Sequence, residues 1–99
     1  MSEVQTQTLD HLGGIRRLSI MVGAKDFRGS GTKVLFKIGK GAKKKINKVS
    51  IELNGLDLYD VVFSRVWGKT DKVISTHKNV YNDGLVELFE AETGFYLSF

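Results

Sequence analysis

Residues 48–63 read KVSIELNGLDLYDVVF and carry the clearest structural pattern in the chain. In the first half of this stretch, every second residue from Val49 onward is apolar, and this alternation predicts a half-buried β-strand. Asn54 and Gly55 come next and tolerate the positive φ angles of a type I′ turn, so they predict a tight hairpin. The second strand of this hairpin is expected to cover residues 56–67.

The neighbouring segments extend this hairpin into a larger sheet. Apolar residues occupy both parities of residues 56–67, so this strand should be buried on both faces and central. Residues 32–38 alternate in the same way as the strand that begins near Val49, and a shorter strand is expected at Val73 and Ile74. Together these segments predict a four-stranded antiparallel β-meander.

Two short helices are predicted before the meander. Residues 6–12 form the first, which ends at Gly13 and Gly14. Residues 15–22 have apolar residues every three to four positions and predict the second, with a strand as the alternative. Residues 24–31, AKDFRGSG, have the Asp, Ser and Gly content of a loop.

A longer amphipathic helix is expected after the meander, at residues 79–93, and it should end at Gly94. Its predicted faces comprise apolar Tyr81, Leu85, Leu88 and Phe89 opposite acidic Asp83, Glu87 and Glu90. The apolar face should pack on the sheet, and the acidic face could meet solvent or a basic protein partner. The apolar tail at residues 95–99 should dock on the core. The fold class is therefore α+β, and a sheet face left open would allow a homodimer.

Length and composition limit the possible classes of protein. Ninety-nine residues with 41% apolar content predict a single small domain spanning residues 1–99. Cysteine is absent, which excludes disulfides and thiolate metal sites. The polar start MSEVQTQT does not resemble a signal peptide, and no apolar run approaches the length of a membrane span. We therefore expect a soluble, cytoplasmic protein that does not enter a membrane.

Positive charge is concentrated in the first half of the chain. Eleven of the 15 Lys and Arg residues, but only four of the 11 acidic residues, lie at or before Asn54. Residues 39–48, GKGAKKKINK, alone contain a third of the basic residues and join two predicted strands. This asymmetry indicates a surface that favours polyanions.

The lysines of this region are candidates for nucleic-acid contact: Lys37, Lys40, Lys43, Lys44, Lys45 and Lys48. On a protruding hairpin they could neutralise several backbone phosphates and bind with little sequence preference. The alternative is a solvated loop whose charges maintain solubility and prevent edge pairing. In either case the hairpin tip should bury little apolar area, so its lysines should contribute almost nothing to stability.

A second candidate lies at the end of the long predicted strand. Arg65, Trp67 and Lys69 place an aromatic ring between two cations, an arrangement on which a base could stack. The alternative is that Trp67 closes one end of the core, which is the more common role of a large aromatic residue in a small domain.

Other residue types form no catalytic or metal-binding pattern. Asp57 and Asp60 should point to opposite faces of a strand, and His11 and His77 lie on separate elements without metal-ligand spacing. No complete phosphate-binding loop motif is present. We therefore expect no enzymatic activity, no cofactor and no metal site.

Several stretches are similar to one family of proteins. They are QTLDHLGG, MVGAKDF, IELNGLDLYDVVF and VYNDGLVELFEAETGFYLSF, which follow one another over nearly the whole chain. In these segments the chain resembles a family of small uncharacterised proteins encoded by bacteriophages and related mobile elements. The resemblance implies a phage origin, and because its motifs are structural rather than chemical, it implies no activity, cofactor or catalytic residue.

Two functions of different classes fit these observations. The first is a phage accessory protein that binds DNA or RNA electrostatically through the Lys-rich segment. The second is a protein that inhibits or modulates a host system, such as a defence nuclease, through direct protein contact. A partner captured from host lysate after nuclease treatment would indicate the second function, because nucleic acid would not survive the treatment.

Overall fold

The computed structural model describes residues 2–97 and combines three α-helices with a five-stranded antiparallel sheet. The α+β class is therefore confirmed, whereas the predicted number of four strands is wrong. The strands follow one another across the sheet in the order β1-β2-β3-β4-β5. The elements are α1 (Glu3–Asp10), α2 (Gly14–Val22), β1 (Lys25–Ser30), β2 (Lys33–Lys37), β3 (Lys48–Leu53), β4 (Tyr59–Trp67), β5 (Thr70–Val80) and α3 (Leu85–Thr93).

The centre of the core is built from two rows of apolar residues that cross β2, β3 and β4. Within each row the residues are direct cross-strand partners, so their side chains share one face of the sheet. All six are at most 2% exposed. The rows are Val34, Ile51 and Val61, and Phe36, Val49 and Phe63.

All three helices pack on this face. α1 contributes Leu9 to the core, α2 contributes Leu18 and Val22, and α3 contributes Phe89, whose ring lies 6.5 Å from that of Phe63. Burial of these side chains is the main source of stability in a domain of this size. The opposite face carries Leu35, Val62 and Val66, which are only half-buried. The helices therefore cover one side of the sheet.

The two outer strands were not predicted correctly. β1 lies in the segment that its composition indicated to be a loop, and it is an edge strand that contributes a single apolar side chain, Phe27, stacked on Phe36 at 5.3 Å. A bulge with Asp26 at φ 56° interrupts its pairing with β2. β5, expected to be short, has 11 residues. Both are edge strands, exposed along most of their length, so neither shows a clear alternation of apolar residues.

The predicted type I′ turn at Asn54 and Gly55 is wrong. β4 begins at Tyr59, and the loop closes through a 2.8 Å bond from the Asn54 amide to the Leu58 carbonyl. The positive φ angle occurs at Asp57, at 59°. The Asn54 side-chain oxygen accepts the Leu56 amide at 2.8 Å, so the side chain of Asn54 organises a wider loop.

The chain after the sheet also differs from its prediction. β5 continues to Val80, so α3 begins at Leu85 rather than near residue 79, and Tyr81 is 68% exposed instead of part of the apolar face. Glu90 does not belong to a solvated acidic stripe, because its carboxylate accepts the Leu97 amide at 2.7 Å. Leu97 is buried, so this end of the tail docks on the core, while Ser98 and Phe99 lie outside the described residues.

Candidate nucleic-acid interface

The Lys-rich segment at residues 39–48 crosses from β2 to β3 and is fixed to the protein at several points. Ala42 and Ile46 are 9% and 2% exposed and belong to the core. The Gly39 amide donates to the Val22 carbonyl at 2.9 Å, which ties the start of the segment to the end of α2. The predicted hairpin tip held out in solvent is therefore wrong. The apolar residues at positions 42 and 46 turn towards the core, and the lysines between them are exposed.

This segment forms one wall of an open cleft of about 610 Å³. The other walls are the connection between α2 and β1, the end of β2 and the end of β4. Five cationic residues and one tryptophan line the cleft: Lys25, Lys37, Lys40, Lys45, Arg65 and Trp67. No acidic residue is among the lining residues, so the cleft is a positively charged concavity.

Trp67 is the aromatic component of the cleft. Its indole ring lies 4.6 Å from the Arg65 guanidinium carbon, which is the geometry of a cation–π contact. Trp67 pairs with Thr70 where β4 turns into β5, and Gly68, at φ 57°, permits this tight turn. The residue is 45% exposed, so the interpretation that it closes the core is wrong. The same contact orients Arg65 and Trp67, which both line the cleft.

Asn47 connects the Lys-rich segment to the end of β4. Its side chain donates to the Val66 carbonyl at 2.8 Å and accepts the Val66 amide at 2.7 Å. Its backbone amide donates to the Ser64 carbonyl at 3.0 Å. These three bonds continue the pairing of β3 with β4 beyond Lys48. They hold the residues on either side of Val66 at a fixed position relative to the lysines.

Glycine is required where the segment turns into the cleft. Gly41 has φ 102°, a conformation that residues with a β-carbon rarely adopt. At Gly39, an added β-carbon would lie 3.2 Å from the Val22 carbonyl oxygen. The two glycines on either side of Lys40 therefore allow the backbone to turn and to approach Val22 closely.

The structure brings five of the nine predicted residues into the cleft: Lys37, Lys40, Lys45, Arg65 and Trp67. Lys37 also faces Asp26 at 3.8 Å, a distance at which an exposed ion pair is weak. Lys25, which sequence reasoning missed, completes the site. In the sequence, only the charge of Lys25 indicated a role in this site. Its position in the cleft beside the end of β4 results from the fold.

The other four predicted residues are not among those that line the cleft. Lys43 donates to the Ala91 carbonyl in the last turn of α3 at 3.2 Å, and Lys48 forms an ion pair with Asp71 at 2.7 Å. Lys44 contributes positive charge near Glu92, on the side of α3. Lys69 lies in the exposed turn between β4 and β5. The predicted cluster is thus divided between the cleft, the contacts of Lys43 and Lys48, and the exposed positions of Lys44 and Lys69.

One further ionisable pair links β5 to α3. His77 hydrogen-bonds to the Glu92 carboxylate, and its ring packs edge-on against Phe63. Burial by itself would raise the pKa of Glu92, but the bond to His77, the nearby Ser75 hydroxyl and the charges of His77 and Lys44 together lower it. This pair lies on the helix-covered face, so its role is to hold α3 on the sheet.

No family model matches the chain, and no curated protein or solved structure is significantly similar to it. Between Ser2 and Leu97, no group of three or more His, Asp or Glu side chains is arranged to hold a metal ion. None of the three described helices is long and apolar enough to cross a membrane. The cleft combines five positive charges with an exposed aromatic ring, a chemistry that suits anions attached to planar groups.

Proposed function

We propose that the protein is a non-enzymatic accessory protein that binds nucleic acid through the basic cleft. The observation that supports this most directly is the convergence of five cationic side chains and Trp67 on one concave surface. The resemblance of the sequence to a phage-encoded family supports a role in a bacteriophage or a related mobile element. DNA and RNA both offer the required chemistry, since each presents a repeating phosphate and a planar base.

The lysines supply affinity rather than sequence recognition. Lys40 and Lys45 can each approach a backbone phosphate as point charges, and such contacts do not distinguish one base from another. Arg65 could read guanine through two hydrogen bonds, but its guanidinium group lies over the indole ring of Trp67. We therefore expect sequence-tolerant binding driven by release of counterions.

The proposal is tested by measuring the binding of fluorescently labelled oligonucleotides at several salt concentrations. The variant Lys40→Gln/Lys45→Gln removes two positive charges from the cleft. Loss of two phosphate contacts should make the slope of log K against log salt less negative by roughly 1.4 to 1.8. The control is Lys33→Gln/Lys78→Gln, which removes the same charge from the opposite end of the sheet. Salt-independent binding, or equal losses in both variants, would contradict the proposal.

A second candidate function is contact with a host protein, which is favoured by the exposed surface of α2. Ile20 is 73% exposed and Ile15 is 44% exposed, and Arg16 lies beside them. Exposed apolar residues next to cations are typical of protein interfaces. In this case a host protein, such as a defence nuclease, should be captured from nuclease-treated lysate. Ile20→Ser should lose this capture, whereas Lys40→Gln/Lys45→Gln should retain it.

A further inference from the structure

We infer that the cleft selects unpaired, single-stranded nucleic acid, with one base stacked on Trp67 and the adjoining phosphates held by the cleft lysines. This inference rests on the proposed function and specifies the class of ligand that the same site takes. Three features support it: the exposure of Trp67, its position beside the cations, and the hydrogen bonds that fix the neighbouring backbone.

The exposed part of Trp67 offers aromatic surface that a ligand can cover. A tryptophan usually buries a large apolar area and forms a hydrogen bond through its indole nitrogen. Here nearly half of Trp67 is exposed, at the end of its strand. Val61 and Phe63, which precede it in the same strand, are almost completely buried. The Arg65 guanidinium group already contacts the ring from one side and places a positive charge beside it. A planar, electron-rich base is the kind of group that stacks on such an arrangement.

The position of the ring favours a single strand over a duplex. In a duplex both faces of each base are covered by neighbouring bases, so a protein contacts the phosphates and the base edges. An unpaired strand can turn a base towards the protein while its phosphates follow a positively charged groove. Trp67 and the cleft lysines Lys40 and Lys45 line the same concavity, so one nucleotide segment can reach both. A duplex could use only the lysines.

Hydrogen bonds fix the backbone beside the ring before any ligand binds. Asn47 fixes Val66 through two hydrogen bonds, and Val66 lies between Arg65 and Trp67 in the chain. The tight turn at Gly68 holds the other side of Trp67. A platform that does not need to be ordered on binding retains more of its stacking energy. The ring is therefore preorganised for stacking.

Binding to a 20-nucleotide single strand and to a 20-base-pair duplex of mixed sequence should be compared at one fixed salt concentration. We expect the wild type to bind the single strand at least about tenfold more tightly. Trp67→Ala should weaken single-strand binding by roughly tenfold to a hundredfold, the loss that corresponds to one stacked base, and change duplex binding by less than about twofold. Trp67→Phe should restore part of the affinity. Tyr81→Ala, which removes another exposed aromatic ring, is the control and should have no effect.

A second measurement reports on the ring directly. Trp67 is the only tryptophan in the chain, so its fluorescence should be quenched by the single strand and little changed by the duplex. Equal affinity for both nucleic acids together with a neutral Trp67→Ala variant would overturn the inference and leave the proposed electrostatic binding intact. Absence of binding to either nucleic acid would overturn both.

Discussion

Asn47 uses its side chain to pair with the backbone of Val66 as a further residue of β3 would. The side-chain nitrogen of Asn47 donates to the Val66 carbonyl at 2.8 Å, and the Val66 backbone amide donates to the side-chain oxygen of Asn47 at 2.7 Å. An Asn side chain supplies one donor and one acceptor, which is the combination that a peptide group requires. This pairing joins the Lys-rich segment to the strand end that carries Arg65 and Trp67.

The first prediction concerns this pairing. Asn47→Asp keeps the size of the side chain but replaces its donor with an oxygen that faces the Val66 carbonyl. We expect it to lower the free energy of unfolding by about 1–3 kcal/mol, because the carbonyl loses its partner and meets a negative charge. Chemical denaturation measures the change. Asn82→Asp, at an exposed position, is the control, and equal effects in both variants would show that the pairing does not stabilise the fold.

The same variant predicts an effect on binding. If Asn47 positions Trp67, Asn47→Asp should weaken single-strand binding more than duplex binding, because stacking depends on the orientation of the ring while phosphate contacts depend mainly on charge. The measurement compares both affinities for the Asn47→Asp and Asn82→Asp variants. Parallel losses for the two nucleic acids would show that the added negative charge, and not the position of the ring, causes the effect.

The central sheet could be predicted from the sequence because its strands are half-buried. In β3 the apolar residues that face the core alternate with polar residues on the other face, so the hydropathy has a period of two although Ser50 is itself buried; in β2 the burial alternates as well. β1 gives no such pattern, since only Phe27 among its residues packs on the core. Edge strands are held by backbone pairing, which leaves little trace in side-chain hydropathy.

The cleft could be predicted only in part. Arg65 and Trp67 were predicted as a cation and an aromatic ring at one strand end, and in the structure they form a cation–π contact. Lys25 could not be assigned, because it reaches the cleft through the pairing of a strand that was not predicted. Ala42 and Ile46 are core residues within the charged stretch of residues 39–48. Neither belongs to a long apolar pattern, so Ala42 gave no signal, and only the position of Ile46 beside a predicted strand indicated that its side chain could face the core.

The second structural prediction concerns Lys43. Its ammonium group donates to a carbonyl in the last turn of α3, where the carbonyl groups carry partial negative charge. Its side chain lies beside Gly94. Lys43→Ser should therefore lower the free energy of unfolding by about 0.3–1 kcal/mol. Lys40→Ser, in the cleft, should have almost no effect or be slightly stabilising, because it reduces repulsion among the lysines. Thermal denaturation compares the two, and an identical response would contradict the structural role of Lys43.

The third structural prediction concerns the residue that anchors the Lys-rich segment to the core. Ile46 is 2% exposed and is surrounded by the core, so Ile46→Ala should leave a cavity and destabilise the protein by about 2–5 kcal/mol. Ile20→Ala, at an exposed position on α2, is the matched control and should cost far less. Denaturation midpoints of both variants give the comparison. A small effect at Ile46 would mean that the segment is held in solvent, as a simple hairpin would be.

The last prediction uses the lowered pKa of Glu92. Because the hydrogen bond to His77 and the surrounding charges keep this pKa below its ordinary value of 4.5, folding favours the ionised carboxylate. The stabilisation from Glu92 is therefore fully present above about pH 4.5 and is lost as the pH falls through the folded-state pKa. Glu92→Gln removes this contribution, so its deficit relative to wild type should be present above about pH 4.5 and shrink as the pH falls below that value.

Urea denaturation at a series of pH values between neutral and acidic conditions measures this change. Glu87→Gln removes an exposed carboxylate from the same helix and controls for the loss of a negative charge. At neutral pH Glu92→Gln should be less stable than Glu87→Gln, because only Glu92 holds α3 against β5 through His77. The two variants should converge as the carboxylate of the wild type becomes protonated. A gap that persists or widens in acid would show that Glu92 acts through packing, and that its charge does not help to fix α3 on the sheet.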